Sequence, residues 1–300
     1  MAGVRPLLES MRPKQWIKNL IVFAPVAFAQ KLFNLEMLAA SGLAFAAFCL
    51  ASSGVYLVND IMDREADRHH PEKRERPIAS GRVTVTAAAM LAAVLFAGSL
   101  LIAARLSLEV VLIVAGYLLL NVAYSIRLKH WVIIDAFCIA FGFILRMAAG
   151  GEALKAIDPG ITISTWIILC TLLGSLFLAF CKRRNELGLA EEAGNHRATL
   201  SEYSTQFLDQ MIAIATACTV MAYALWTIWP ETVAKFHTQR LFWTVPFVCY
   251  GIFRYLYLVH QKNLGGSPSK IFLSDPPLIV NILAWILAVI VILYGPLLWK

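Results

Sequence analysis

Charge is scarce in this chain. Asp, Glu, Lys and Arg make up 15% of its residues, where soluble proteins carry about 25%. The charges that exist are clustered between long apolar runs. This excludes an ordinary soluble domain, and no nucleic-acid partner is expected. Paired cysteines are also missing. The six cysteines stand singly in or beside apolar runs, and no two are spaced C-x-x-C. They read as small buried hydrophobes, not as disulfides or zinc ligands. His69 and His70 have no matching Cys/His constellation, which argues against a zinc site. No linker or low-complexity tract interrupts the chain. Strict apolar–polar alternation is absent too, so a membrane β-barrel is excluded.

What remains is apolar residues, 59% of the 300, with a mean hydropathy of +0.69. Nine runs approach the roughly twenty residues needed to cross a bilayer. They cover about Trp16–Phe33, Glu36–Asp60, Val83–Ala104, Leu108–Ser125, Trp131–Leu154, Thr162–Cys181, Phe207–Trp229, Arg240–Val259 and Pro277–Trp299. Backbone groups in lipid must bond internally, so these runs predict helices. The expectation is an all-α polytopic membrane protein with nine transmembrane helices in a single domain, 1–300. A basic, polar stretch precedes the first run, so no cleavable signal is expected.

The net charge of +7 is unevenly placed. With nine crossings, eighteen lysines and arginines fall on the side of the N-terminus and six on the other; Arg146 and Arg254 lie inside runs. The positive-inside rule then places the N-terminus and the two longest polar loops, 61–82 and 182–205, in the cytoplasm.

The loop after the second run carries the densest chemistry. Asn59, Asp60, Asp63 and Asp67 fall within about two helical turns, with the three acids at i, i+3 and i+7. Three carboxylates on one face repel one another unless a cation bridges them. Their hard oxygens suit Mg²⁺, which takes one or two carboxylates plus substrate phosphates. Lys73, Arg74 and Arg76 follow at once and suit phosphate oxygens. Acids for a metal beside bases for phosphates describe a site for a Mg²⁺-bound diphosphate. Arg64 and Arg68 are expected to pair with the aspartates or reach substrate, and Pro71, Pro77 and Gly81 to order the loop.

Elsewhere the readings stay open. Asp135, one turn inside its run, is either a functional acid or a partner for Arg127 or Lys129. Arg146 shares a face with it, as a structural pair or a substrate contact. Lys182, Arg183, Arg184 and Glu186 are either a topogenic cluster or a second anion-binding lip facing the aspartates. Asp209 stands at a similar membrane entrance.

The N-D-x-x-D-x-x-x-D pattern after the second of nine runs resembles the UbiA superfamily of intramembrane prenyltransferases. Members usually carry a second acidic motif after the sixth span, where this chain has C-K-R-R-N-E-L at 181–187. That departure resembles the decaprenyl-phosphate phosphoribosyltransferase branch. The resemblance rests on R-P-K-Q-W-I-K-N-L (12–20), N-D-I-M-D-R-E-A-D (59–67), K-R-E-R-P-I-A-S-G (73–81), Y-S-I-R-L-K-H (124–130) with Asp135, K-R-R-N-E-L (182–187) and Y-S-x-x-F-L-D (203–209).

It implies a UbiA-like bundle in the bacterial inner membrane, with a cytoplasmic site capped by loops 61–82 and 182–205. It also implies Mg²⁺-dependent transfer of 5-phosphoribose from phosphoribosyl diphosphate (PRPP) to a polyprenyl phosphate, feeding cell-envelope glycans. Asn59, Asp60, Asp63 and Asp67 would hold the metal. Lys18, Asn19, Lys73, Arg76, Tyr124, Arg127, Lys129, Asp135, Lys182, Arg183, Arg184, Glu186 and Tyr203 would contact substrate. A homo-oligomer is compatible with this reading. The alternative is a prenyltransferase that moves a prenyl group from a prenyl diphosphate to an aromatic acceptor; the missing second acidic motif counts against it.

Overall fold

A computed structural model of the chain describes residues 4–69, 73–193, 202–262 and 264–298; side chains are described except at 189–193 and 296–298. His70, Pro71 and part of each expected cap loop, 70–72 and 194–201, lie outside the described residues. The described residues are helices and turns. They divide into two compact units. The first comprises residues 1–129 and 142–163, the second 130–141 and 164–300.

The first unit contains α1 (Val4–Met11), a 3-10 helix (Pro13–Phe23), α2 (Ala24–Phe28), α3 (Leu35–Met62), α4 (Arg64–His69), a 3-10 turn (Lys73–Glu75), α5 (Val85–Ala104) and α6 (Leu108–Ile126). It also takes the C-terminal part of α7 (Ile134–Lys155). Each long helix begins where a short polar side chain can cap it. The side-chain oxygens of Asn34, Thr84 and Ser107 accept from the backbone N–H of Met37, Ala87 and Val110 at 3.1–3.3 Å. Such caps contribute about 1 kcal/mol each.

Helix α3 is the centre of this unit, because its inward face is built of small residues. Ser41, Ala44, Ala47, Ala51, Ser52, Ser53 and Gly54 are buried. Small residues let helices approach closely where lipid supplies no hydrophobic drive between them. A Cβ at Gly54 would stand 2.3 Å from the ring of Phe96 on α5. The Ser99 hydroxyl, also on α5, donates to the Ala47 carbonyl at 2.8 Å.

The second unit starts with the first two turns of α7. It continues through α8 (Thr165–Ala193), α9 (Thr205–Ile228), α10 (Pro230–Phe236), a 3-10 turn (Arg240–Thr244), α11 (Val245–Lys262), α12 (Pro268–Ser274) and α13 (Pro276–Leu298). Its core gathers Phe177, Phe180, Leu208, Ile212, Tyr255, Leu258 and Leu278. On α13, Val280, Leu283, Leu287 and Val291 repeat along one face and are 59–65% exposed. An apolar stripe left bare in this way is what a lipid-facing helix presents.

Eight helices among the described residues are long and apolar enough to cross a membrane. They match eight of the nine expected runs. The ninth, Trp16–Phe33, takes another form: a 3-10 helix followed by the five-residue α2. Two prolines explain this. Pro13 follows Arg12, which sits in the left-handed region at φ 54°, and Pro25 lacks the N–H that would bond within a longer helix. The segment also packs very close to α7, since a Cβ at Gly150 would stand 2.1 Å from the Val22 carbonyl oxygen. The sixth run differs in the opposite sense. Helix α8 continues past Cys181 to Ala193, so Lys182–Glu186 lie on a helix rather than in a loop.

Candidate active site

Helix α3 stops at Met62, and Asp63 caps it with its N–H on the Asn59 carbonyl at 2.9 Å. A short new helix, α4, then starts at Arg64. The break matters because it re-aims the acids. Asp60 and Asp67 are buried, at 2% and 3% exposed, and both reach the same cation. Arg76 Nη1 lies 3.1 Å from Asp60 Oδ1 and 2.6 Å from Asp67 Oδ2. Asp63 turns elsewhere and pairs with Lys129 Nζ at 2.9 Å. The expected one-faced row of three acids is therefore a pair plus one.

Arg12 completes the pair's surroundings. Its Nη2 lies 2.5 Å from Asp60 Oδ1, and its guanidinium stacks 5.0 Å over the Tyr56 ring. The turn that delivers Arg76 is anchored by buried Ile78, Ala79 and Val83, and Gly81 takes φ 79°, which favours glycine. Arg68 does not reach an aspartate. It bonds Glu65 at 3.0 Å and the Ala79 carbonyl at 3.2 Å, fastening α4 to this turn. The Asn59 side-chain oxygen accepts from the Ser125 hydroxyl on α6.

Among the described residues no three His, Cys, Asp or Glu side chains converge as a metal cage. The donor set nevertheless fits Mg²⁺. Two buried carboxylate oxygens lie within 3.1 Å of one nitrogen cation, and Mg²⁺ typically uses one or two carboxylates with phosphate oxygens completing its shell. The guanidinium of Arg76 stands where positive charge is required.

The remaining candidates of this unit differ in burial. Asn19 is fully buried, and its amide N–H donates to Ser52 Oγ at 3.3 Å and Cys49 Sγ at 3.4 Å. Lys18 and Lys73 are half-buried, Tyr124 is half-buried on α6, and Arg127 is exposed at its C-cap.

The second unit holds a separate ionic cluster. Asp135, 1% exposed, accepts from Arg183 Nε at 2.5 Å and from the Tyr203 hydroxyl at 2.9 Å. Burial pushes the Tyr203 phenol up from its ordinary pKa, so it stays protonated and keeps donating. Its oxygen accepts from the Ile133 N–H at 2.6 Å. Arg183 also bonds Glu186, Lys182 Nζ stands 3.5 Å from Glu186, and Arg184 Nε stands 2.5 Å from Asp209. Asp135 thus pairs with Arg183, not with the Arg127 or Lys129 that sequence proximity suggests.

Sequence reasoning missed Arg12 as a partner of Asp60. The two are 48 positions apart, and nothing local to either motif joins them. It also left Arg146 unresolved; that side chain bonds Asn19, Tyr117 and the Gly142 carbonyl.

Long apolar helices and a buried acid pair flanked by two arginines are what the comparisons with known proteins must account for. Residues 20–275 match the model of the UbiA prenyltransferase family. The chain belongs to that family. It is 36% identical to the decaprenyl-phosphate phosphoribosyltransferase of Corynebacterium glutamicum, over 96% of this chain and 86% of that protein. The same enzyme of Mycobacterium tuberculosis is also 36% identical, over 96% of this chain and 93% of that protein. Among solved structures, a UbiA homologue from Archaeoglobus fulgidus bound to GPP and Mg²⁺ superposes with a TM-score of 0.72 at 19% identity, covering 96% of this chain and 99% of that one. That likeness concerns the fold.

Proposed function

We propose that this chain transfers the 5-phosphoribosyl group of PRPP to a decaprenyl-type polyprenyl phosphate and releases diphosphate. The carrying observation is the convergence of Asp60 and Asp67 on Arg76, with Arg12 beside them. In the reaction the C1–O bond to diphosphate breaks, and an oxygen of the lipid phosphate bonds to C1. Positive charge builds on the ribose while negative charge builds on the departing group.

Each part of the site has a role in that change. Asp60 and Asp67 would hold Mg²⁺, and Asn59 and Asp63 would join them only by leaving Ser125 and Lys129. When bound, the metal withdraws charge from the leaving diphosphate. Arg76 and Lys73 neutralise that diphosphate, and fixed cations are worth more in a water-poor site than in solvent. Arg12 holds Asp60 in place and stacks on Tyr56. The lipid phosphate is ionised near neutral pH, so the reaction needs no strong general base.

The lysine and arginine distribution favours an inner-membrane protein with its acid pair on the cytoplasmic side, where PRPP is available. Purified chain incubated with PRPP and decaprenyl phosphate is expected to form lipid-linked phosphoribose and one diphosphate per turnover. A prenyl diphosphate offered with an aromatic acid is expected to give no product; product from that mixture alone overturns the proposal.

A further inference from the structure

Arg146 is the unusual cation of the first unit. Arg12, Arg76, Arg183 and Arg254 each hold a carboxylate. Arg146 is 6% exposed, and among the described residues no carboxylate lies within 4.0 Å of it. Its hydrogen bonds all end on neutral oxygens. Nε donates to Asn19 Oδ1 at 2.6 Å, Nη1 to the Gly142 carbonyl at 2.7 Å, and Nη2 to the Tyr117 hydroxyl at 2.7 Å. The rings of Phe48, Tyr117 and Phe143 stand 5.8, 4.6 and 5.4 Å from its guanidinium carbon.

A guanidinium carries five N–H donors, so each terminal nitrogen retains one. A guanidinium with donors to spare can grip a phosphate. Gly142 lets the guanidinium lie close to its own helix, since a Cβ there would stand 3.3 Å from Nη1. Asn19 cannot easily turn away, because its amide N–H is held by Ser52 and Cys49.

A second cation lies nearby. Lys18 is half-buried, within electrostatic reach of both Arg146 and Arg12, and has no carboxylate within 4.0 Å among the described residues. A bracing role alone needs only neutral donors, yet Arg146 buries a charge with no carboxylate beside it among the described residues. Arg146 bonds Asn19, the residue next to Lys18, and two cations without a carboxylate in one membrane helix bundle repel each other until an anion joins them. The position is distinct from the acid pair. Ser52, which holds Asn19, precedes Asp60 by eight residues on α3, about 12 Å along the helix axis.

We infer that Arg146 and Lys18 form a pocket for a phosphate monoester, set deeper along α3 than the acid pair. The inference rests on the proposed function for its choice of ligand. Two substrates of that reaction carry such a group, PRPP at its 5-position and the lipid at its head.

The test uses the full chain in detergent, with binding measured for ribose 5-phosphate and, separately, for a short-chain polyprenyl phosphate. Wild type is compared with Arg146→Gln, Arg146→Lys and Lys18→Met. The expected result is that Arg146→Gln and Lys18→Met each weaken one ligand at least tenfold and leave the other within twofold, with Arg146→Lys recovering part of the loss. Selective loss of ribose 5-phosphate assigns the pocket to the donor, and selective loss of the lipid assigns it to the acceptor. Should Arg146→Gln fail to fold, Lys18→Met decides alone, because Lys18 is only partly buried. The inference is overturned if wild type binds neither ligand, if Lys18→Met binds both as wild type does, or if both ligands weaken alike. Monoester binding needs no turnover. A wild type that binds but transfers no phosphoribose would therefore sink the proposed function and leave this pocket standing.

Discussion

Both units bury an aspartate beside an arginine, yet they do so differently. In the second unit Asp135 has its oxygens filled by Arg183, Tyr203 and a backbone N–H, and Arg183 in turn holds Glu186. Among the described residues, each acid of that cluster meets a base. In the first unit one arginine is shared by two buried acids, and Arg12 crowds onto one of them. Two more cations, Lys18 and Arg146, lack any carboxylate among the described residues. The lesson is that burial of charge alone does not mark a site. In the first unit two acids share one arginine and two cations have no acid among the described residues, an arrangement that an incoming metal ion and anion can complete.

The largest effect that would break this contrast concerns the shared acids. Asp60→Asn or Asp67→Asn is expected to lower turnover by about a hundredfold or more, the scale of losing a metal ligand or its support. Phosphoribosyl transfer measured across a Mg²⁺ titration checks this; wild-type rates in both variants would place the metal elsewhere. Next is Arg76→Ala, which leaves two buried carboxylates facing each other. Breaking such a pair from one side costs about 3–5 kcal/mol, so a marked drop in melting temperature in metal-free detergent is expected, with recovery on adding Mg²⁺. A drop that Mg²⁺ does not reverse would argue for a purely structural arginine.

In the second unit, Tyr203→Phe removes one buried hydroxyl that bridges Asp135 and the Ile133 N–H. The expected loss is about 1 kcal/mol of stability, seen as a small shift in melting temperature that Mg²⁺ does not alter. A shift that Mg²⁺ reverses would remove the distinction between the two clusters.

The smallest effect is a pH dependence at Asp275. The Arg254 guanidinium, 2.9 Å away, holds its carboxyl below the usual carboxylate pKa. A lowered folded-state value means stabilisation present above about pH 4 and lost as the pH falls through the folded pKa. The stability gap between wild type and Asp275→Asn should therefore close on acidification, and a gap that widens would reverse the sign.

How much of this was legible in the sequence differs by element. Eight crossings follow from run length alone, because an apolar stretch of that size in lipid has no alternative to a helix. The segment after Trp16 was misjudged in form, since a hydropathy count does not weigh Pro13 and Pro25 or the buried amide of Asn19. Asp60 and Asp67 were visible from their spacing. Asp63 diverged because the helix ends at Met62, a stop marked by no glycine or proline. The partnerships of Arg12, Lys129 and Arg183 join residues 48, 66 and 48 positions from their acids, and such contacts leave no periodic trace.

The most direct measurement is diphosphate release by the purified chain supplied with PRPP, decaprenyl phosphate and Mg²⁺, repeated with a chelator and with Asp67→Asn. The account predicts diphosphate and lipid-linked phosphoribose in equal amounts, with both lost under chelation and in the variant. Undiminished release in the presence of chelator, or full activity from Asp67→Asn, would contradict it.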